Sequence, residues 1–156
     1  MQKISPFLWF DTQAEEAMNF YVSIFPNAKV GNVARYGDAG PGPKGSVMVA
    51  SFDLEGVHFT ALNGGPVVSF NHAISLLIDC KDQAEVDHYW DRLGDGGTIQ
   101  QCGWVTDKFG VTWQVVPEAL PRLLSDPDSA KANRVMQAML QMSKIVVADL
   151  EKAHAG

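Results

Sequence analysis

A chain of 156 residues with 46% apolar and 19% charged residues has the composition of one folded domain of ordinary size. Its net charge of −6, with only 12 scattered basic residues, argues against a surface built for nucleic-acid phosphates. No early segment joins a basic head to a long apolar run, so neither a signal peptide nor a membrane span is expected. Cys80 and Cys102 sit in no CxxC pair, the pattern of free thiols in a reducing, cytoplasmic compartment.

In chain order, Ile4–Phe10 reads as a strand, with Pro6 marking an edge or an irregular start. Asp11-Thr12 then supplies a helix cap, and Glu15 and Glu16 fall in the first turn, where carboxylates favour the positive helix end. The run to Phe25 places Ala17, Phe20, Tyr21 and Ile24 on one stripe, and Pro26-Asn27 stops it. Val30–Tyr36 is a further strand. The segment from Gly37 to Gly45 is a loop by composition; it lacks the glycine-lysine-hydroxyl order of a phosphate loop and leads into a strand, which excludes that role. Strand Ser46–Asp53 turns at Leu54-Glu55-Gly56 into a strand beginning Val57-His58-Phe59-Thr60, and Asn63-Gly64-Gly65-Pro66 closes this half.

The pattern then restarts. Ala73–Ile78 is a strand followed by Asp79, as Phe10 is followed by Asp11. Asp82 caps a helix with Val86, Tyr89, Trp90 and Leu93 as its apolar stripe, and Gly94-Asp95-Gly96-Gly97 ends it. Short strands at Thr98–Gln101 and Trp104–Thr106 and a turn at Asp107–Gly110 lead into Val111–Val116. That last strand repeats the order of Val57-His58-Phe59-Thr60, which sets Gln114 opposite Thr60. Val111, Trp113 and Val115 form an apolar face and Thr112, Gln114 and Val116 a mixed one, so a core lies on one side and a cavity is expected on the other. Each half is strand, helix, strand, strand, strand, a duplication rather than a solenoid. The expected organisation is paired modules over residues 1–124, divided at about 66/67, and a helical tail over 125–156. Around that boundary Leu120–Leu124 is a short turn, Ser125–Asp128 a break, and Ala130–Ala153 one longer helix with Val135, Met139, Met142 and Val146 on one face.

Two βαβββ modules carry the runs Pro6-Phe7-Leu8-Trp9-Phe10-Asp11, Ala14-Glu15-Glu16-Ala17, Phe20-Tyr21, Phe59-Thr60-Ala61-Leu62-Asn63-Gly64-Gly65-Pro66 and Gln101-Cys102-Gly103-Trp104. Together they resemble the PhnB-like branch of the glyoxalase, bleomycin-resistance and dioxygenase superfamily (vicinal oxygen chelate fold), often described as demethylubiquinone methyltransferase-like. The resemblance implies an α+β fold whose strands curl into a cupped mixed sheet with helices outside. On that fold Leu8, Phe10, Phe59, Ala61, Ile74, Leu76, Ile78, Val111, Trp113 and Val115 would lie under the helices. Ser5, Phe7, Trp9, His58, Thr60, Leu62, Ala73, Ser75, Leu77, Thr112 and Gln114 would point into the cup.

Superfamily enzymes bind a divalent metal from four cup positions, which carry over to Ser5, Thr60, Ala73 and Gln114. Only Gln114 coordinates well: hydroxyls are poor ligands for transition metals and alanine offers no donor. No metal and no other cofactor is therefore expected. His72 lies one residue from a ligand position, and a one-residue step along a strand turns it to the other face unless a bulge returns it. The methyltransferase description fits poorly, since no glycine-rich loop stands between a strand and a helix to hold a nucleoside cofactor.

Among the cup-lining candidates, His58 and Gln114 would face each other across the cup to bind a polar ligand, or else bond local backbone and water. Trp9 would supply an aromatic wall or pack in the core. Thr60, Ser75 and Thr112 complete the lining. Arg35, with Tyr36, would clamp an anionic or carbonyl group at the mouth, and Cys102 is a reactive thiol or a plain buried one. His88 and His154 are expected in solvent. The leading expectation is a homodimeric protein that binds an unknown small molecule in a cup without metal chemistry, with no nucleic-acid or membrane partner. The alternatives are a lyase, isomerase or dioxygenase using Gln114 with His58 or His72 recruited by a bulge, and a sequestering protein that consumes nothing.

Overall fold

The computed structural model describes residues 2–156; Met1, at the head of the first expected module, lies outside the described residues. The chain divides into two compact units, one ending at Phe70 and the other running from Asn71 to Gly156, so the segment 125–156 falls within the second. As the resemblance implies, the fold is α+β, with one four-stranded mixed sheet in each unit.

The first unit contains β1 (Phe7–Phe10), α1 (Ala14–Ile24), β2 (Ala28–Arg35), β3 (Val47–Leu54) and β4 (Val57–Asn63), with its strands ordered β1-β4-β3-β2. β1 runs parallel to β4, from Phe7 beside Thr60 to Phe10 beside Asn63. The β3–β4 turn puts Glu55 at φ 48° and Gly56 at φ 82°, both left-handed, the backbone that matches the twist of a two-residue hairpin. Ala14, Ala17, Met18, Tyr21 and Ile24 are buried on α1, with Met18 where the periodicity predicts Phe20. Phe52 stacks on Phe59 at 5.4 Å beneath Tyr21, which forms the aromatic centre of this core.

The α1 start differs from the expected Asp11-Thr12 cap. Its N-cap is Gln13, which makes no side-chain cap bond; the Ala14 N–H instead donates to Asn63 Oδ1 at 2.8 Å. Asn63 Nδ2 donates to Val47 O at 3.1 Å, and its carbonyl accepts the Tyr36 hydroxyl at 2.5 Å. A residue at the end of β4 thus supplies the acceptor that a local cap would provide. Asn63→Ala is expected to cost about 1–2 kcal/mol in chemical denaturation, the range for losing a cap and a half-buried amide bond.

The second unit contains β5 (Leu76–Cys80), α2 (Gln83–Gly94), β6 (Thr98–Ile99), β7 (Trp104–Thr106), β8 (Thr112–Pro117), α3 (Ala119–Leu124), α4 (Ser129–Leu140) and α5 (Val147–Ala155), with strands ordered β5-β8-β7-β6. Asp82 caps α2 by accepting the Glu85 N–H at 2.9 Å, and Val86, Tyr89, Trp90 and Leu93 are buried, as their spacing predicts. Two expectations on β5 are corrected. The strand begins at Leu76, not Ala73, and Ile74 is 79% exposed, not under a helix. The ladders also move the internal equivalence by two residues: Phe7 pairs with Thr60 and Leu77 with Gln114, so the partner of Ser5 is Ser75, not Ala73. A two-residue shift preserves the face of every side chain, which is why the Thr60–Gln114 equivalence holds.

The expected single helix over 130–153 is two helices, α4 and α5, joined by residues 141–146. No glycine or proline marks the break. Tertiary contacts decide it, aided by the β-branched run Ile145-Val146-Val147. Ile145 is fully buried in a cluster with Ala119, Leu120, Leu123, Val135 and Leu150. The Cys102 and Gly103 N–H groups donate to Met142 O and Ser143 O, each at 2.8 Å. Gln83 Nε2 donates to Ile145 O at 3.0 Å, and Gln83 Oε1 accepts the Val147 N–H at 2.7 Å, a second helix start capped from elsewhere in the chain.

His154, expected in solvent, is instead partly buried, with Nε2 2.7 Å from Asp126 Oδ2. Arg134 Nε and Nη2 donate to the Ala153 and His154 carbonyls at 2.9 and 2.8 Å. The bond from His154, and then the Asp128 N–H, hold the Asp126 carboxyl below its ordinary value of 3.8. A lowered folded value stabilises fully above 3.8 and is lost as pH falls through it. Hydrogen-exchange protection of α5, measured against the unfolded chain at the same pH, is therefore expected to fall in acid below that point in the native chain, with the step absent in Asp126→Asn.

Candidate functional site

β8 alternates as its sequence requires. Val111, Trp113 and Val115 are buried on the helix side, and Thr112 and Gln114 belong to the other face. The ladders give each a neighbour: Thr112 lies opposite Thr106, and Gln114 lies between Trp104 and Leu77. Gln114 Nε2 donates to Ser75 Oγ at 2.9 Å. The Thr112 and Thr106 hydroxyls are 3.4 Å apart, with Thr112 only 1% exposed. Gln100 Nε2 donates to Thr106 Oγ1 at 2.8 Å and lies 2.9 Å from His72 Nε2, which is 3.3 Å from Thr106 Oγ1. An amide nitrogen only donates, so in this contact the His72 Nε2 faces it as the acceptor. The alternation of an extended strand would turn His72 away. It precedes β5, where that alternation does not apply, and its imidazole joins Gln100 and Thr106 without a bulge.

Asp107 holds the hairpin that makes these rungs. Its buried carboxylate accepts the Phe109 and Val111 N–H groups at 2.9 and 3.1 Å on Oδ1, and Trp113 Nε1 at 2.8 Å on Oδ2. The β7–β8 register, and with it the Thr106–Thr112 pairing, is fixed from this turn.

Of the sequence candidates, Ser75, Thr112 and Gln114 lie with this network, and the other five do not. Thr60 occupies the matching rung of the first sheet, between Phe7 and Ser51. His58 also belongs to the first unit, its Nδ1 2.7 Å from Asp53 Oδ1, with Lys29 Nζ 3.7 Å from the other oxygen. The bond from His58 holds the Asp53 carboxyl below its ordinary value. Trp9 is 36% exposed and donates from Nε1 to Gly65 O at 2.9 Å; a Cβ on Gly64 would come within 2.3 Å of its ring. Arg35 donates to Gly45 O at 3.2 Å and sits 3.9 Å from Glu15. Cys102 is half-buried in a left-handed backbone at φ 60°, with its N–H held by the tail, and burial pushes the Cys80 thiol up to about 12. Sequence reasoning missed Thr106 and Gln100. Folding the expected Asp107–Gly110 turn symmetrically sets Thr106 against Val111; the observed pairing with Thr112 takes a five-residue loop, 107–111, which the sequence does not mark.

The first unit has a pocket of about 560 Å³ between the α1 start, Tyr36 and the Gly64-Gly65 turn. Of the residues the sequence points to, Tyr36 lines it, while its expected partner Arg35 and the cup-lining candidates do not. Its carboxylates, from Asp11, Glu15 and Glu16, sit where a helix dipole favours them. Gly40 and Gly42 lie against the Tyr36 ring so closely that a Cβ on either would meet it at 2.6 or 2.3 Å, which explains those two glycines of the 37–45 loop.

The donor set does not fit a superfamily metal. Ser5 and Thr60 offer hydroxyls, Ala73 nothing, and the Gln114 amide is bonded to Ser75; the corrected position, Ser75, adds another hydroxyl. Among the described residues no group of three His, Cys, Asp or Glu is placed to hold a metal ion. The three strand-to-helix junctions among the described residues, Asp11-Thr12-Gln13, Lys81-Asp82 and Glu118, contain no glycine, so none offers the close backbone approach of a glycine-rich nucleoside-cofactor loop. No helix among the described residues is long and apolar enough to cross a membrane.

The model of the 3-demethylubiquinone-9 3-methyltransferase family matches residues 2–116. The PhnB protein of Bacillus cereus is 36% identical over 74% of this chain and 99% of its own, with a TM-score of 0.67. Protein PA1353 of Pseudomonas aeruginosa, 24% identical over 76% of this chain and 98% of its own, shares the fold at a TM-score of 0.64. The fosfomycin resistance protein FosX of Mesorhizobium loti, 14% identical over 72% of this chain and 90% of its own, shares it at 0.51. No curated protein matches. With two βαβββ units and a family match over most of its length, the chain belongs to the PhnB-like 3-demethylubiquinone-9 3-methyltransferase family of the vicinal oxygen chelate superfamily.

Proposed function

We propose that this protein binds a small organic molecule against the face of its second sheet that carries Thr112 and Gln114, through hydrogen bonds and without a chelated metal. The observation that carries this reading is the pair of hydrogen-bonded runs on one strand face, Ser75–Gln114 and His72–Gln100–Thr106–Thr112. A ligand site needs a few placed donors and acceptors beside apolar surface, and these side chains are held in place by their mutual hydrogen bonds. Leu77 and Trp104, on either side of Gln114, supply that surface. Methyl transfer fits this reading poorly, because no strand-to-helix junction carries a glycine-rich loop for a nucleoside methyl donor.

The test is a fragment screen by ligand-observed NMR, followed by Gln114→Ala and by dialysis against a chelator. Hits are expected to weaken about tenfold in Gln114→Ala, the scale of one hydrogen bond lost from a partly buried site, and to be unaffected by the chelator. A stoichiometric divalent ion in the purified protein, with binding lost on chelation, would reject the reading.

A further inference from the structure

We infer that the ligand of this face is uncharged where it meets the second sheet; this rests on the binding role proposed above. The chain carries 12 basic and 18 acidic residues, yet among the described residues none of them is a hydrogen-bond partner of the network's side chains. Ser75, Gln100, Thr106, Thr112 and Gln114 carry no ionisable group, nor do Leu77 and Trp104 beside Gln114. The Gln100 amide donates toward His72 Nε2, which enters the network as an acceptor. An ion placed against the buried Thr112 hydroxyl would give up water and find no countercharge there, which costs several times more than removing a neutral polar group from water.

The first unit shows what the same rung looks like when it is ionic. Asp53 pairs with His58 on the β3–β4 ladder, as Thr106 pairs with Thr112 on the β7–β8 ladder, and both pairs lie two residues from the Thr60 or Gln114 position. There the carboxylate meets an imidazole at 2.7 Å and a lysine at 3.7 Å. In the second unit the equivalent pair is two hydroxyls. The duplicated halves thus differ in charge at one geometrically matched pair, and the half with the hydrogen-bonded network is the neutral one.

The experiment is an amide-correlation NMR titration of the full chain with three probes of one shape: benzyl alcohol, benzoate and benzylammonium. Benzyl alcohol is expected to shift the Thr112 and Gln114 signals, and both ions to bind there at least tenfold more weakly. Thr106→Lys is expected to admit benzoate to the same signals. If either ion shifts Thr112 and Gln114 as strongly as benzyl alcohol in the native chain, the inference is overturned while the binding role stands. If none of the three shifts them, the binding role itself fails and the inference falls with it.

Discussion

Asp107→Ala is expected to lower the unfolding free energy by about 3–5 kcal/mol, a large share of what a domain of this size has. One carboxylate satisfies two backbone N–H groups of the β7–β8 turn and the indole N–H of buried Trp113. Alanine leaves all three without that acceptor, and each buried donor so orphaned costs about 1–3 kcal/mol, not fully additively. Asp107→Asn separates the contributions. Its remaining oxygen still accepts the turn N–H groups while its amide nitrogen confronts Trp113 Nε1, donor against donor, so roughly half the loss is expected. Urea denaturation followed by tryptophan fluorescence measures both. A loss below about 1 kcal/mol for Asp107→Ala would mean that the turn is held by other contacts. The consequence for the site is direct, because the turn sets the Thr106–Thr112 rung.

Gly103→Ala is expected to cost about 2–4 kcal/mol, by two additive causes. Gly103 has φ 82°, where any Cβ is strained, and its Cβ would lie 2.9 Å from the Val115 carbonyl oxygen and 3.1 Å from Ile145 Cγ1. The Val115 oxygen is backbone and cannot swing aside. Ile145 can move only by leaving the cluster that joins α3, α4 and α5. Gly56 is the control: it has the same φ of 82°, and a Cβ there would meet nothing within 4 Å. Gly56→Ala therefore carries the conformational cost alone, about 1 kcal/mol. Hydrogen exchange should show α4 and α5 loosened in Gly103→Ala and not in Gly56→Ala. Equal losses in the two variants would remove the contact with Ile145 from the explanation.

The parts of the fold that short-range patterns determine are legible in the sequence. Val111, Trp113 and Val115 alternate onto the buried face, Val86, Tyr89, Trp90 and Leu93 follow the helical period, and Asp82 stands where a cap must. What depends on distant partners is not. Asn63 caps α1 across 49 residues and Gln83 caps α5 across 64, and neither leaves a local signature. The tail breaks between α4 and α5 without glycine or proline, because the carbonyls of Met142 and Ser143 are bound to Cys102 and Gly103. The equivalence of β5 with β1 reads two residues early, because Asp79 after an apolar run imitates Asp11 after β1. Ser75, Thr112 and Gln114 emerge from alternation alone. His72 and Gln100 lie outside the strands and reach the face only through tertiary contacts.

Soaking crystals of the full chain with a fragment mixture tests the placement of the site most directly. Fragments are expected against Gln114, Thr106 and Leu77, with hydrogen bonds to the amide and hydroxyl groups and no metal bridging them. Fragments gathered instead in the pocket beside Tyr36, with the second sheet bare, would contradict the assignment.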